Sequence, residues 1–368
     1  MSWPKVRLGD VCEVKAGRDY KDVESPDGKY PIYGTGGVMG MSREWRCPAG
    51  SVIVGRKGTL DNPMLINEPF WNIDTCFGVV PSDKLLPAYL WRFCQNFDFY
   101  SLVPASGRPS TTSDAVKAIK LPLPPLVEQK KIVEKVEKAL KRVDALKAQF
   151  ERMEKSAADY FKAALAETFA AVKGEKVKLE DICEFIKDGT HQTPQYTTDI
   201  QSGYKFVSSK DVTSGAIDWE HLKYIPARLH DELYARIAPK KGDILLAKNG
   251  TTGVAAIVDR DEIFDIYVSV ALLRFKAGNC LRYLWYIINS PLAKAQFNRR
   301  LKGIGVPNLH LEEIRKVEIV VPPVAVQQQV IASLDAAKAK SERMVAAARR
   351  CIGICGKMRK AILAEAFQ

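Results

Sequence analysis

Two stretches of the chain carry apolar residues at helical spacing for much longer than any others. After LPLPPLVEQKKIVEKVEKAL, apolar or small side chains recur at Val133, Val136, Leu140, Val143, Leu146, Phe150, Met153, Ala157, Tyr160 and Ala164. Steps of three and four residues stay near the 3.5 period of a helix-pairing seam, which predicts one long helix with a single apolar stripe. After IVVPPVAVQQQVIASLDAAK the matching positions are Ile331, Leu334, Lys338, Ser341, Met344, Ala348, Cys351, Cys355, Met358 and Ile362. Only Lys338 and Ser341 interrupt that second stripe. The proline pairs suit helix starts, and Gly174 is placed to stop the first helix. Gly353 and Gly356 lie inside the second pattern, each disfavoured by about 1 kcal/mol against Ala; they allow either a close backbone approach or a break. A helix of about 45 residues would be roughly 68 Å long. Packed antiparallel as a coiled coil, two of them would bury both seams in a rod with a globular part at each end. Two independent domains with helical tails would leave the seams exposed.

The remaining sequence alternates short β-rich runs with short helical patterns. SVIVG (51–55), DILLA (243–247), KFVSS (205–209) and AAIV (255–258) read as strands. LLPAYLWRFCQNF and CLRYLWYIINS have helical spacing, while YGTGG and NGTTG mark loops. The class is α+β, or mixed α/β.

These patterns occur twice. From Gly107 to Phe169, against Gly305 to Phe367, the match runs at an offset of 198 with no gap; Pro124, Pro125 and Gln129 fall on Pro322, Pro323 and Gln327. Upstream, VRLGDVCEV (6–14) pairs with VKLEDICEF (177–185), GSVIVGRKG (50–58) with GDILLAKNG (242–250), and YLW (89–91) with YLW (283–285). The chain is therefore an internal duplication with approximate two-fold character. It divides into a globular domain (1–125), a long helix (126–174), a second globular domain (175–322) and a second long helix (323–368). The second copy is longer by 27 residues, of which 20 fall between Gly189 and Gly242 against Gly17 and Gly50. A shared scaffold with one freely differing region suits a pair of readers for two different targets.

Composition adds little against this picture. Of 368 residues, 46% are apolar and 27% charged, as in ordinary soluble domains. No apolar run reaches the ~18 residues of a membrane helix, and MSWPKVRLGD has no signal-peptide character, so a cytoplasmic location is expected. The net charge of +12 suggests a polyanionic partner, but no Lys/Arg-rich tail carries it. Any nucleic-acid surface must be assembled from folded parts.

Signals for catalysis are weak. Eight cysteines include no CxxC pair; Cys12 and Cys183 occupy matching places and read as core, and Cys351 and Cys355 would still lack two metal ligands. GSVIVGRK departs from the phosphate-loop pattern and precedes a strand rather than following one; YGTGGVMG does not match GxGxxG. No NPPY- or DPPY-type motif appears. An acidic D…ExK arrangement can be forced from Asp114, Glu128 and Lys130, but Glu128 has only Val326 opposite it in the other copy. The four histidines, His191, His221, His230 and His310, form no triad or HExxH pattern. The chain reads as non-catalytic.

A duplicated reader followed by PP…Q and a long helix resembles the specificity subunit of type I restriction–modification enzymes. The resemblance spans the whole chain. It rests on LPLPPLVEQKKIVEKVE, the paired strand turns and DGTHQTPQY (188–196), which looks like the start of a target recognition domain. Type IIB systems use similar subunits. The resemblance implies two target recognition domains reading the halves of a split, asymmetric site in double-stranded DNA. It implies helices that set the half-site spacing and dock two methyltransferase subunits, through their exposed sides rather than their seams. Those partners would bring S-adenosylmethionine, restriction and translocase subunits would bring ATP and Mg2+, and this chain would hold none of them. Lys338, Ser341, Gly353 and Gly356 depart from the family's regular helix. The rival reading is a coiled-coil protein-binding scaffold without sequence-selective DNA contact.

Candidate DNA contacts follow from the repeat. The turns after matched strands offer Arg56 and Lys57 in one half, and Lys248, Asn249, Thr251 and Thr252 in the other. Arg reads guanine and Asn adenine in the major groove, although exposed turns are also simply polar. His191, Gln192, Thr193 and Lys210 lie where the copies diverge. Arg108, Ser110 and Thr111 match Val306, Asn308 and Leu309 ahead of the helices, and Arg299, Arg300 and Lys302 form a basic group suited to phosphate or to a solvated helix end.

Overall fold

The computed structural model describes residues 3–104, 109–301 and 308–368; Arg108 and Lys302 lie outside them. The chain forms two compact units, one of residues 1–152 with 348–368 and one of residues 153–347. Each unit thus combines a globular part with a segment of each long helix. No helix among the described residues is long and apolar enough to cross a membrane.

Both units have the same plan. The first contains an antiparallel four-stranded sheet in the order Cys12–Ala16, Cys76–Pro81, Ser51–Gly55, Met64–Ile66. A three-stranded sheet follows the order Gly37–Ser42, Tyr30–Gly34, Trp71–Asn72, its last pair parallel. Lys5–Arg7 pairs with Lys120–Pro122. The second unit repeats this as Cys183–Asp188, Val270–Phe275, Ile244–Ala247, Ala255–Ile257; then Lys223–Ile225, Tyr204–Val207, Phe264–Ile266; then Glu175–Lys178 with Glu318–Val321. Strand Ser51–Gly55 is buried at every position, as is Ile244–Ala247, because both faces are covered. Val52 and Val54, like Ile244 and Leu246, pack with helices Pro87–Asn96 and Leu281–Ile288, while Ile53, like Leu245 and Ala247, packs with the three-stranded sheet of its unit. The sheets are largely antiparallel and the helices segregated, as an α+β class requires.

The copies part company where their lengths differ. Strands Tyr30–Gly34 and Gly37–Ser42 join through a tight glycine turn. Their counterparts, Tyr204–Val207 and Lys223–Ile225, are separated by a longer excursion, and helix Ala227–Arg236 follows.

The repeated proline-to-helix junction is a clamp. Gln129 is fully buried; its Oε1 accepts from Leu86 N at 2.8 Å and its Nε2 donates to the carbonyls of Lys84 and Pro124, both at 2.9 Å. Gln327 accepts from Cys280 N at 2.8 Å and donates to Pro322 O and Asn279 Oδ1, both at 2.9 Å. Leu86 and Cys280 immediately precede the covering helices, so one side chain ties each long helix to the start of its neighbour and satisfies buried backbone groups there. Tyr89 and Tyr283 make the same tie to Pro122 O and Val320 O, at 2.9 and 2.7 Å.

The long helices run over Leu126–Ala171 and Val324–Ala366. In the first unit, Lys135 meets Glu365 and Asp144 meets Arg359, so the two segments run antiparallel. Val136, Leu140 and Leu363 form their buried seam. In the second unit Ser341 Oγ donates to Ala157 O at 2.6 Å. Ser341, expected to interrupt the stripe, is buried within it and bonds across to the other helix. Leu334, Ser341, Ala348 and Cys355 are buried at intervals of seven residues. Lys338 leaves the seam to pair with Glu342 at 2.8 Å.

Three expected seam residues of the first helix are exposed: Leu146, Met153 and Tyr160, by 41%, 39% and 38%. Beyond Ala157 the inward set shifts by one residue to Phe161, Leu165 and Phe169, stepping by four. Phe161 and Phe169 pack edge-on against Tyr286 and Tyr283, so the globular part selects the face there, and a straight helix drifts away from a strict seven-residue repeat. Gly353 and Gly356 neither break the helix nor mark a close approach. The helix is continuous through them, and a Cβ at either would meet nothing within 4 Å.

Candidate nucleic-acid interface

In each unit the turn after the fully buried strand is stitched to the segment preceding the long helix. Arg56 O accepts from Thr111 N at 2.9 Å, and Lys248 O from Leu309 N at 2.8 Å. Lys57 bridges to Ser110 as Asn249 does to Asn308. On the other side, Arg56 N donates to Thr75 O and Lys248 N to Ser269 O, each at 2.9 Å. Three chain segments are therefore fixed side by side, and the same backbone frame carries different side chains in the two copies.

A fourth segment enters at Gly17 and Gly189. A Cβ at Gly17 would lie 1.8 Å from Ile73 O, and one at Gly189 would lie 1.8 Å from Ile266 O. Backbone contact at that distance admits only glycine. Arg18 N donates to Asn72 O, while Val268 N donates to Thr190 O. In the second unit Ser209 N donates to Ser269 Oγ at 3.0 Å, which brings Lys210 to the same rim.

The structure thus gathers Arg56, Lys57, Ser110 and Thr111 in the first unit. In the second it gathers His191, Gln192, Thr193, Lys210, Lys248, Asn249, Thr251, Thr252 and Asn308. Lys57, His191, Gln192, Thr193, Lys210 and Thr251 are exposed. Arg56 is held against Asp74 O at 3.4 Å and over the Phe77 ring, and Lys57 pairs with Asp74 at 3.2 Å. Lys248 is turned inward: it is 5% exposed, and its Nζ donates to Asp188 Oδ2 at 2.6 Å. Thr111 Oγ1, Asn249 Oδ1 and Asn308 Oδ1 are buried at this seam with hydrogen-bonding capacity unused.

Arg299 and Arg300 are not part of this rim. They end helix Pro291–Arg299 and donate to its own carbonyls, Ala295 O and Gln296 O, each at 3.2 Å. With Lys176 they line a cleft of about 650 Å³ beside the two-stranded pair. Arg236, which sequence reasoning missed, bonds the carbonyls of Asp188 and Gly189 at 3.0 and 2.6 Å. It lies in the region without counterpart in the first copy, where the repeat offers no signal.

Among the described residues no group of His, Cys, Asp or Glu could hold a metal ion. Burial pushes the thiols of Cys12, Cys76 and Cys183 up to about 12 and that of Cys47 to about 11, so these stay protonated core side chains rather than ligands or nucleophiles.

The chain matches the type I restriction modification DNA specificity domain twice, over residues 2–155 and 172–343. It is 25% identical over its whole length to the type I restriction enzyme EcoBI specificity subunit of Escherichia coli, spanning 86% of that protein. It is 25% identical over 80% of its length to the MjaVIII specificity subunit of Methanocaldococcus jannaschii, spanning 69% of it. A structure from work on complex assembly and conformational transition of the type I R-M system aligns over 100% of this chain and 98% of its own, with a TM-score of 0.77 at 20% identity. The HsdS subunit from Thermoanaerobacter tengcongensis aligns over 100% and 96%, with a TM-score of 0.55 at 19% identity.

The chain belongs to the type I restriction–modification DNA specificity family. It is a specificity subunit: a non-catalytic DNA-recognition component.

Proposed function

We propose that each globular part reads one half of a bipartite, asymmetric DNA sequence and that the long helices, as a coiled coil, set the half-site spacing and dock two methyltransferase subunits. One observation carries this reading. The turn holding Arg56 and Lys57 and the turn holding Lys248 and Asn249 share one backbone frame but not one side-chain set. Equivalent frames place two readers alike, and unlike side chains give each its own bases. Lys57, Arg56 and Ser110 would face the first half-site. His191, Gln192, Thr193, Lys210, Asn249, Thr251, Thr252 and Asn308 would face the second. Arg299 and Arg300, with Arg108 and Lys302 outside the described residues, suit phosphate contacts. S-adenosylmethionine, ATP and Mg2+ would reside on the partner subunits, in the cytoplasm.

The test is to co-express this chain with its methyltransferase subunit in a methylation-free host and sequence the host genome for N6-methyladenine. A split motif with unlike halves and a fixed spacer is expected. Formation of the complex without any sequence-specific methylation would sink the reading and favour the protein scaffold.

A further inference from the structure

Strand Cys183–Asp188 ends where the segment Thr190–Gln195 begins, its His191, Gln192, Thr193 and Gln195 exposed and its Thr190 and Pro194 buried. Two cations grip that strand end. Lys248 Nζ donates to the Asp188 carboxylate at 2.6 Å, and Arg236 donates to the Asp188 and Gly189 carbonyls at 3.0 and 2.6 Å. The Asp188 side chain is itself only 14% exposed. Arg236 is the last residue of helix Ala227–Arg236, whose middle is anchored by His230, with Nδ1 2.7 Å from Asp265 Oδ2. The start of this helix, with Arg228 and Leu229, borders a cleft of about 390 Å³ whose other wall is Thr190, Gln192 and Thr193.

We propose, resting on the reading that the second globular part contacts DNA, that Lys248 and Arg236 are positioning residues for its specificity. They fix Thr190–Gln195 as the base-reading segment of that part, and Lys248 does so without touching DNA. An ammonium held in a buried ion pair cannot also reach a phosphate, since leaving the pair would strand the Asp188 charge. Thr190 is tied to the sheet through Ile266 O and Val268 N. Beyond it the segment lies outside the named strands, held locally by Gln192 N to Thr190 Oγ1 at 3.2 Å and by His191 Nε2, 3.6 Å from Asp188 Oδ1. The first copy keeps only the arginine half of this device: Arg46 donates to Ala16 O at 3.0 Å, as Arg236 does to Asp188 O, but Ala16 offers no carboxylate. Through the strand pairing, Ala16 stands opposite Phe77 as Asp188 stands opposite Ala271, and the second copy's extra strand residue is absorbed by a bulge between Cys183 and Phe185. Arg56, in the place of Lys248, lies instead on Asp74 O and the Phe77 ring. The buried ion pair therefore belongs to the second copy and acts on its half-site alone.

The experiment uses the full chain in complex with its methyltransferase subunit, reading methylated motifs in a methylation-free host. Lys248→Met is expected to raise methylation at sites mismatched in the second half by about tenfold or more, with the first half unchanged; Arg236→Gln should do the same. Asp188→Asn breaks the same pair while leaving the ammonium in place, and it is expected to relax the second half as Lys248→Met does. Binding of Lys248→Met to a duplex carrying the wild-type motif should keep the wild-type salt slope, whereas loss of a direct phosphate contact lowers that slope by about 0.9. An Asp188→Asn variant with wild-type specificity, or a reduced slope for Lys248→Met, overturns the positioning role and makes Lys248 a DNA contact. A wild-type complex with no split motif would instead refute the half-site reading itself.

Discussion

At the residue scale, Asp265 shows burial and charge in opposition. Its carboxylate is 1% exposed, faces His230 through Oδ2 and leaves Oδ1 buried without a partner, while Tyr204 stacks on His230 at 3.6 Å. Burial raises the Asp265 pKa to about 6; the hydrogen bond and charge of His230 only partly offset it. A carboxyl with a raised folded pKa favours the fold when protonated. Its contribution is therefore complete below the ordinary aspartate range of about 4 and is lost as pH rises through about 6. Asp265→Asn keeps the shape without the charge. Its stability relative to wild type should climb between about pH 4 and pH 6 and level off above. Thermal unfolding of both proteins across that window checks this, and an unchanging difference between them would remove Asp265 as its source.

At the element scale, the second long helix keeps two interior glycines that nothing around them requires. Gly353 and Gly356 are exposed, helical and open to a Cβ. Each Gly→Ala change should stabilise by about 1 kcal/mol, additively if the sites are independent. Denaturant titration would read the gain, and a loss would mean that the bare backbone there serves a docked partner. These helices were also the most legible part of the chain, because proline pairs, length and apolar spacing agree. Their register was less so. The periodic pattern held from Val133 to Val143 and again at Ala157. It slipped afterwards because Phe161, Leu165 and Phe169 answer to Tyr283 and Tyr286, tertiary neighbours that no local period encodes. Ser341 looked like a flaw in the stripe for a similar reason, since its acceptor lies 184 residues away.

At the scale of the whole molecule, the repeat made half of the candidate site readable and concealed the rest. Arg56, Lys57, Lys248 and Asn249 were found because equal offsets placed them on equal turns. Arg236 was not, because it lies in the stretch where the copies differ in length, and the Asp188–Lys248 pair was not, because its carboxylate stands where the first copy has Ala16. The repeat also has a consequence for stability. Phe367, the penultimate residue, belongs to the first unit: it packs edge-on against Tyr89 and Phe93, with ring centroids 5.1 and 5.6 Å away. Its counterpart Phe169, at the end of the other long helix, packs against Tyr283 at 5.6 Å in the second unit. Each helix end therefore completes the core of the globular part that its own copy does not contain. Truncating either ring to Ala should cost about 3–5 kcal/mol of local stability, and the unit affected should follow the packing rather than the sequence neighbourhood. Phe367→Ala is expected to speed amide exchange among the strands between Lys5 and Pro122, and Phe169→Ala among those between Glu175 and Val321. If Phe367→Ala instead loosened the second set and left the first protected, the exchange of helix ends between the two copies would be wrong.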